Sequence, residues 1–371
     1  MGLARTLPPL GVEVVLFRRR REPLCQAHIE GLDCRVLGLS DRGGLWWEQV
    51  SVPRAIARER IDVFHAPAEH GVPFLTRRPV VLTIHSVTRA SYERLITQGL
   101  LPGPVSRYLP GVAAGGRASL GDWYWHRQVR RADHIITPSD FARQEVLEFL
   151  QVPSDRVSAI PLAADQQFDR PERPTVERRE ALARLGVREP YLLYVGGYEP
   201  HKNVSGLLTM FAEFHRARPE VQLALVGTKG VPEELLDLAR ESGLVPGETV
   251  CFCCNLGPEL TDLYDSAAVF VSMSWRETFC LPALEAMTRG TPVVVSAWGA
   301  TPEVVGASGV LIDPRDPAAA CEAVLRLLDN SNRDTAAARA RQAAARFSWS
   351  TTAARTLEVY TALKPDSPPA T

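Results

Sequence analysis

Short apolar runs of strand length alternate with helical stretches along this chain, and they do so in two separate series. The first series places strands at 12–17, 63–65, 80–85 and 134–138, with a weaker one at 156–161. The second places them at 191–195, 221–226, 249–252, 268–273 and 292–296. Continuous rather than alternating apolar runs are what parallel strands show when helices cover both faces of the sheet. Between the series, residues 165–190 are rich in Pro, Arg and Glu and read as a linker with a surface helix. The pattern predicts an α/β chain of two doubly wound domains facing a cleft. At 371 residues the chain is long enough for two cores. The expected domains are 1–168 and 169–349, with a tail at 364–371. The last helix, about 350–363, is a candidate to return to the first domain.

Composition narrows the partners. The 42 basic and 43 acidic side chains leave a formal charge of −1, so charge makes no case for nucleic acid. The one basic run, Arg18 to Arg21, reads as a solvated loop after a strand; the sharper alternative is contact with anionic lipid headgroups. The seven cysteines are Cys25, Cys34, Cys251, Cys253, Cys254, Cys280 and Cys321, an odd number without paired C-x-x-C units. Cys251, Cys253 and Cys254 lie in a strand-like stretch and read as core rather than as metal ligands. Nothing resembles a signal peptide or a membrane span, so a reducing cytoplasm is the expected setting.

The segment Glu277-Thr-Phe-Cys-Leu-Pro-Ala-Leu-Glu285 carries the chemistry. Glu277 follows the strand at 268–273, so it belongs beyond a carboxyl end, where open α/β sheets bind ligands. Pro282 suits the first helical position and Gly290 the position just past the end. Backbone N–H groups near Phe279, Cys280 and Leu281 then face the space above the strand, a setting that favours an anion. Two Glu at this spacing mean little alone. The preceding strand, the helix-start Pro and the upstream Lys202 loop give the pair its weight.

These residues resemble a known family. Tyr194-Val-Gly-Gly-Tyr-Glu-Pro-His-Lys-Asn203, Glu277 to Glu285, Thr301-Pro-Glu-Val304 and Phe347-Ser-Trp349 match retaining glycosyltransferases of family four. In the first half, Asp62-Val-Phe-His65, Thr83-Ile-His85 and Pro138-Ser-Asp-Phe141 match its strand ends. The chain is similar to the bacterial mannosyltransferase-like members, which have the two-domain GT-B fold. The resemblance implies transfer of a hexose, mannose as first guess, from a nucleotide diphosphate sugar to a glycan or lipid-linked acceptor in surface polysaccharide or glycoconjugate synthesis. It implies no metal and no cofactor, and no Asp-x-Asp motif occurs in the chain. Catalytic roles fall to Glu277, which contacts the donor sugar, Lys202, which neutralises phosphate, and His85, which reaches the sugar from the first domain. Donor binding falls to Gly196, Gly197, His201, Lys202, Phe279, Cys280, Leu281, Glu285 on the ribose, and Glu303. For Glu303, contact near the ribose and bonding to its own loop stay equally open. The mechanism the resemblance implies has the leaving phosphate take the acceptor proton, so the two glutamates are not expected to be an acid–base couple as in glycosidases.

Other readings stand beside these. His65 is a structural histidine, and Cys280 a small packed residue at a helix start. Trp275 and Trp298 either pack on a base or sugar or anchor their loops. Arg276 pairs with Glu277 or with a phosphate. Residues 100–125 form a mobile acceptor loop, a membrane contact or a variable insertion. Family members often carry Gly where Thr278 and Cys280 stand, Arg where Gly197 stands, and Asp where Ser86 stands. Residues 3–10 read as the end of a helix stopped by Gly11, with no strand or Gly-rich loop before it. The expectation is a chain start that lies inside a longer reading frame and a first sheet lacking a central strand. These departures motivate the alternative function, a degenerate GT-B protein that binds a nucleotide or partner without transfer.

Overall fold

The computed structural model describes residues 1–21, 31–109, 120–228, 230–328 and 330–364. Cys25 and much of the expected acceptor loop lie outside them. The chain forms two compact units, one of Met1–Ser91, Pro104–Ala163 and Phe347–Thr371, the other of Tyr92–Gly103 and Ala164–Arg346. No helix among the described residues is long and apolar enough to cross a membrane.

The first unit holds two parallel sheets. Strand β1 (Val15–Arg19) pairs with β2 (Arg35–Leu39). Strands β3 (Phe64–Ala66), β4 (Val80–Thr83), β5 (His134–Thr137) and β6 (Val157–Ala159) form the other sheet in chain order. Leu82, Ile135 and Val157 sit side by side across it and share a core with Ile84, Val129 and Val146. The opposite face, at Val81, Ile136 and Ile160, is covered by Val359, Tyr360 and Leu363 of the helix Trp349–Leu363. Ser348 caps that helix by accepting from the Thr351 N–H, and the Thr352 hydroxyl donates to the Pro161 carbonyl.

Several expectations change here. The strand expected at 12–17 lies at Val15–Arg19, so Arg18 and Arg19 end a strand instead of opening a loop. Pairing with β2 sets that register, and β2 was missed because its Arg35-Val-Leu-Gly-Leu39 is half exposed and broken by Gly38. The expected helix over 3–10 is a helix over Gly2–Thr6 and a separate 3₁₀ turn over Pro8–Leu10, because Pro8 and Pro9 have no N–H to continue the ladder. Gly11, at φ 81°, ends it as expected. The four-stranded sheet begins at β3, and β1 belongs to the other sheet, although Phe17 and Phe64 stack at 6.3 Å.

The second unit is one six-stranded parallel sheet, in the order β12-β11-β10-β7-β8-β9. Its strands are β7 (Tyr191–Val195), β8 (Gln222–Gly227), β9 (Val250–Cys254), β10 (Val269–Ser272), β11 (Val293–Ser296) and β12 (Val310–Ile312). Strand β12 went unseen in the sequence because it is a three-residue edge. β7, β8, β10 and β11 are almost wholly buried, which is why their sequences are unbroken apolar runs. The helix Val204–Ala217 buries Leu207, Leu208, Met210, Phe211 and Phe214 against the sheet. Cys251 and Cys253 are buried, as read from sequence, but Cys254 is exposed at the strand end. The stretch after residue 165 is more than a linker. Phe168 is buried, and Arg289 forks onto Asp265 while donating to the Phe168 and Arg170 carbonyls. The chain passes from β7 to β8 and β9 on one side, then returns to place β10 on the other. The strand order therefore reverses between β7 and β10, and ligands of doubly wound sheets bind at such a reversal.

Candidate functional site

Two loops leave the carboxyl ends at that reversal. The first begins with Gly196 and Gly197. The Tyr194 hydroxyl donates to the Gly197 carbonyl at 2.7 Å, and a Cβ on Gly196 would lie 2.6 Å from that hydroxyl. A Cβ on Gly197 would run into the Glu199 carboxylate. The loop then tightens into a 3₁₀ turn over Pro200–Lys202 and ends at Asn203, in the left-handed region at φ 51°. Asn203 caps the following helix by accepting from the Gly206 N–H, and its amide donates to the Met273 carbonyl at 2.9 Å. This one side chain pins the first loop to the second. A further tie runs from the Trp275 N–H to the His201 carbonyl at 2.8 Å.

The second loop carries Glu277 toward Lys202. The Lys202 ammonium donates to both carboxylate oxygens, at 3.0 and 2.9 Å, and the Ser274 hydroxyl donates to Oε1 at 2.7 Å. Burial alone would lower the lysine's pKa; the facing carboxylate offsets this and more, and the ammonium titrates above its usual range. The Glu277 backbone is equally fixed. Its carbonyl accepts from the Ala300 N–H at 2.8 Å, and Gly299, at φ 73°, lies so close that a Cβ there would be 2.5 Å from that carbonyl. Only glycine satisfies both conditions at that point.

The helix that follows spans Leu281–Arg289. Pro282 is its second residue, not its first, because Cys280 occupies the cap; Gly290, at φ 78°, ends it as expected. Cys280 is left-handed, at φ 67°, and buried. Burial first, and the Glu277 carboxylate second, push its thiol well above the usual range, so it is packed rather than reactive. Pro282 has no N–H, and the Ala283 and Leu284 N–H groups donate to the Cys280 carbonyl, which leaves the Cys280 and Leu281 N–H groups as the donors the helix start can offer a ligand. One turn into the helix, Glu285 accepts from the Tyr264 hydroxyl at 2.8 Å, and burial pushes its carboxyl up to about 7.

His201 sits beside Lys202 and Arg276. Burial, then those two cations, lower its pKa to about 4, so its ring is neutral at neutral pH. Its Nδ1 lies 2.9 Å from the Tyr92 hydroxyl. Tyr92 escaped sequence reasoning because it lies over a hundred residues upstream of the histidine, on the helix Thr88–Thr97. Trp275 and Trp298 pack on each other at 5.8 Å, with Arg315 over Trp298. Glu303 is exposed on the short helix Thr301–Val305, and the Arg346 guanidinium donates to its carbonyl.

In the first unit, His85 follows β4. Its N–H donates to Glu69 and its Nε2 lies 3.1 Å from the Pro67 carbonyl. His65 sits half-buried between the Tyr360 hydroxyl, at 2.5 Å, and the Thr83 hydroxyl, at 2.7 Å. Burial, then the neighbouring His85, lowers its pKa to about 4, so it is the structural histidine expected.

The comparisons with known proteins agree with this layout. The family described as "Glycosyltransferase Family 4" matches residues 1–168, and "Glycosyl transferases group 1" matches residues 178–346. A D-inositol 3-phosphate glycosyltransferase of a Nocardioides species is 32% identical, over 96% of this chain and 83% of its own length. The O-antigen chain mannosyltransferase B of Escherichia coli is 35% identical over 63% of this chain, and the match spans 62% of that enzyme's length. Among solved structures, Anabaena HepE in complex with UDP-glucose shares the fold at 16% identity, with a TM-score of 0.71 over 94% of this chain and 99% of that one. With its parallel sheets, its reversal-point site and these relatives, the chain belongs to glycosyltransferase family 4, is a glycosyltransferase of the GT-B fold, and is similar to bacterial mannosyltransferases.

Proposed function

We propose that the second unit holds a nucleotide diphosphate sugar, mannose-bearing as first choice, and that the enzyme transfers the hexose with retention of configuration to a glycan or lipid-linked acceptor. The observation that carries the reading is the Lys202–Glu277 pair beside the start of the helix Leu281–Arg289. A diphosphate taken by the ammonium and the N–H groups of Cys280, at the cap, and Leu281 lies within reach of Glu277, which then accepts from sugar hydroxyls. Phe279 shapes the turn, and Gly196 and Gly197 let the other loop's backbone approach the phosphates. Glu285, one turn on, accepts from the ribose, and Glu303 is a further candidate for contact near it.

Charge builds on the leaving phosphate in such a transfer. Lys202, a neutral His201 and fixed backbone dipoles stabilise it without a divalent metal or other cofactor. The mannose choice follows the Escherichia coli relative, an O-antigen chain mannosyltransferase by name. A nucleotide donor follows HepE, solved with UDP-glucose. Surface polysaccharide synthesis in the cytoplasm is the setting that fits both.

A second reading, nucleotide binding without transfer, is favoured by one observation. Glu199 puts a carboxylate beside Gly197, where many relatives carry a cation. The test is incubation of the purified chain with a panel of nucleotide sugars. Release of free nucleotide from one donor, lost in Glu277→Ala, supports transfer. Binding without release from any donor favours the second reading.

A further inference from the structure

Tyr92 meets the loop after β7 although it lies far upstream in the chain. Its hydroxyl is 2.9 Å from His201 Nδ1, and its ring meets the imidazole edge to face at 5.6 Å and 85°. The tyrosine is buried, on the helix Thr88–Thr97, and belongs to the second compact unit together with His201. Other bonds hold the loop itself. The His201 carbonyl accepts from the Trp275 N–H, and the Lys202 N–H donates to the Glu199 carbonyl. The Tyr92 hydroxyl therefore governs the ring of His201 rather than the path of its backbone.

A hydroxyl facing Nδ1 allows two arrangements. Either the phenol donates to a bare nitrogen, or an Nδ1–H donates to the phenol oxygen. Acidity decides between them. A phenol is a better donor than a neutral imidazole N–H, and a bare imidazole nitrogen is a better acceptor than a phenol oxygen. The charged groups around the ring are Lys202, Arg276 and Glu199. Burial and the two cations keep the ring neutral, so it carries a single proton. With Nδ1 accepting, that proton sits on Nε2. Among the described residues Nε2 has no hydrogen-bond partner, so its N–H is left for a ligand. The opposite tautomer would present a lone pair there, and a lone pair repels phosphate oxygens. A neutral donor adds a hydrogen bond beside Lys202 without adding a third cation.

We propose that Tyr92 is a positioning residue, which holds His201 in the Nε2–H tautomer and in one ring orientation so that the ring donates to the leaving diphosphate. The inference deepens the donor reading and rests on it.

Calorimetry on a double-mutant cycle tests it, with GDP and UDP as diphosphate probes and guanosine and uridine as controls. Tyr92→Phe keeps the aromatic ring and removes only the hydroxyl. It should weaken diphosphate binding about three- to tenfold and leave the nucleosides unchanged. In a His201→Gln background the same substitution should have no further effect, whereas a purely structural tyrosine costs as much in either background. Nitrogen-15 spectra of the ring, assigned by the resonances lost in His201→Gln, should show Nε2 protonated in the wild type and mixed tautomers in Tyr92→Phe. A wild-type proton on Nδ1 overturns the proposal, as does a Tyr92→Phe loss that persists in full in His201→Gln. If Lys202→Ala weakens diphosphate binding and Tyr92→Phe does not, the donor reading stands and this inference alone falls. A wild-type chain that binds neither diphosphate overturns both.

Discussion

The two units solve the same architectural problem differently. The second lays six parallel strands in one sheet and closes a single large core around β7, β8 and β10. The first divides its strands between sheets of two and four, and β1 is half buried along its whole length. Strength and function part company in consequence. The second unit holds its candidate site rigidly, with Asn203 and Ala300 tying two loops to each other and to the strand ends. The first presents open apolar side chains on a lighter frame. Rigid loops suit positioning of a charged donor, whereas an open face suits a larger, less uniform acceptor.

The sharpest way to break this comparison is at Lys202. Lys202→Ala should lower donor turnover by about 10²–10³-fold, the range for loss of one preorganised charge-stabilising group. Undiminished turnover would deny the division of labour.

Acid should separate the units next. His65 has a folded pKa of about 4 against an ordinary 6.5. The folded state binds its proton less readily, so its contribution is present above pH 6.5 and is lost as pH falls through 4. A shift of this size is worth about 3 kcal/mol in the first unit. In the second, His201 behaves the same way, but Glu285 is raised to about 7 and opposes it. A raised carboxyl adds stability below its unfolded pKa and loses it as pH rises through 7. Amide exchange between pH 7 and pH 4.5 should therefore loosen β3–β5 before β7 and β10. Equal loosening in both sheets counts against the assignment.

Glu285 also sets a smaller effect within the site. A carboxylate accepts from ribose better than a neutral acid, so nucleotide affinity should rise about tenfold from pH 6 to pH 8. The rise should vanish in Glu285→Gln, and a rise that persists assigns the titration elsewhere. Smallest is Glu199→Gln, expected to tighten diphosphate binding by about two- to fivefold, the scale of one partly screened charge. No change there would remove the support for the non-transferring reading.

Much of the second unit was legible in the sequence because its signals are local. Buried strands write unbroken apolar runs, and the Glu277-to-Gly290 stretch carries its own start and stop. What escaped was set by partners distant in the chain. β2 and β12 are strands only because β1 and β11 offer ladders to them. The exact start of β1 followed from register rather than composition. Tyr92 meets His201 across more than a hundred residues, and Glu277 meets Lys202 across 75. The second meeting was foreseen only in part: both residues were assigned to one site, but not to each other. Cys280 in a left-handed cap was invisible, since nothing in its neighbours demands that conformation.

The central claim is that Lys202 holds phosphate and Glu285 holds ribose at the reversal between β7 and β10. Calorimetry with GDP and with guanosine, on wild type, Lys202→Ala and Glu285→Ala, tests it most directly. Lys202→Ala should weaken GDP and leave guanosine unchanged, whereas Glu285→Ala should weaken both by about tenfold. Equal losses for both ligands in Lys202→Ala, or undiminished affinity in Glu285→Ala, would contradict the account.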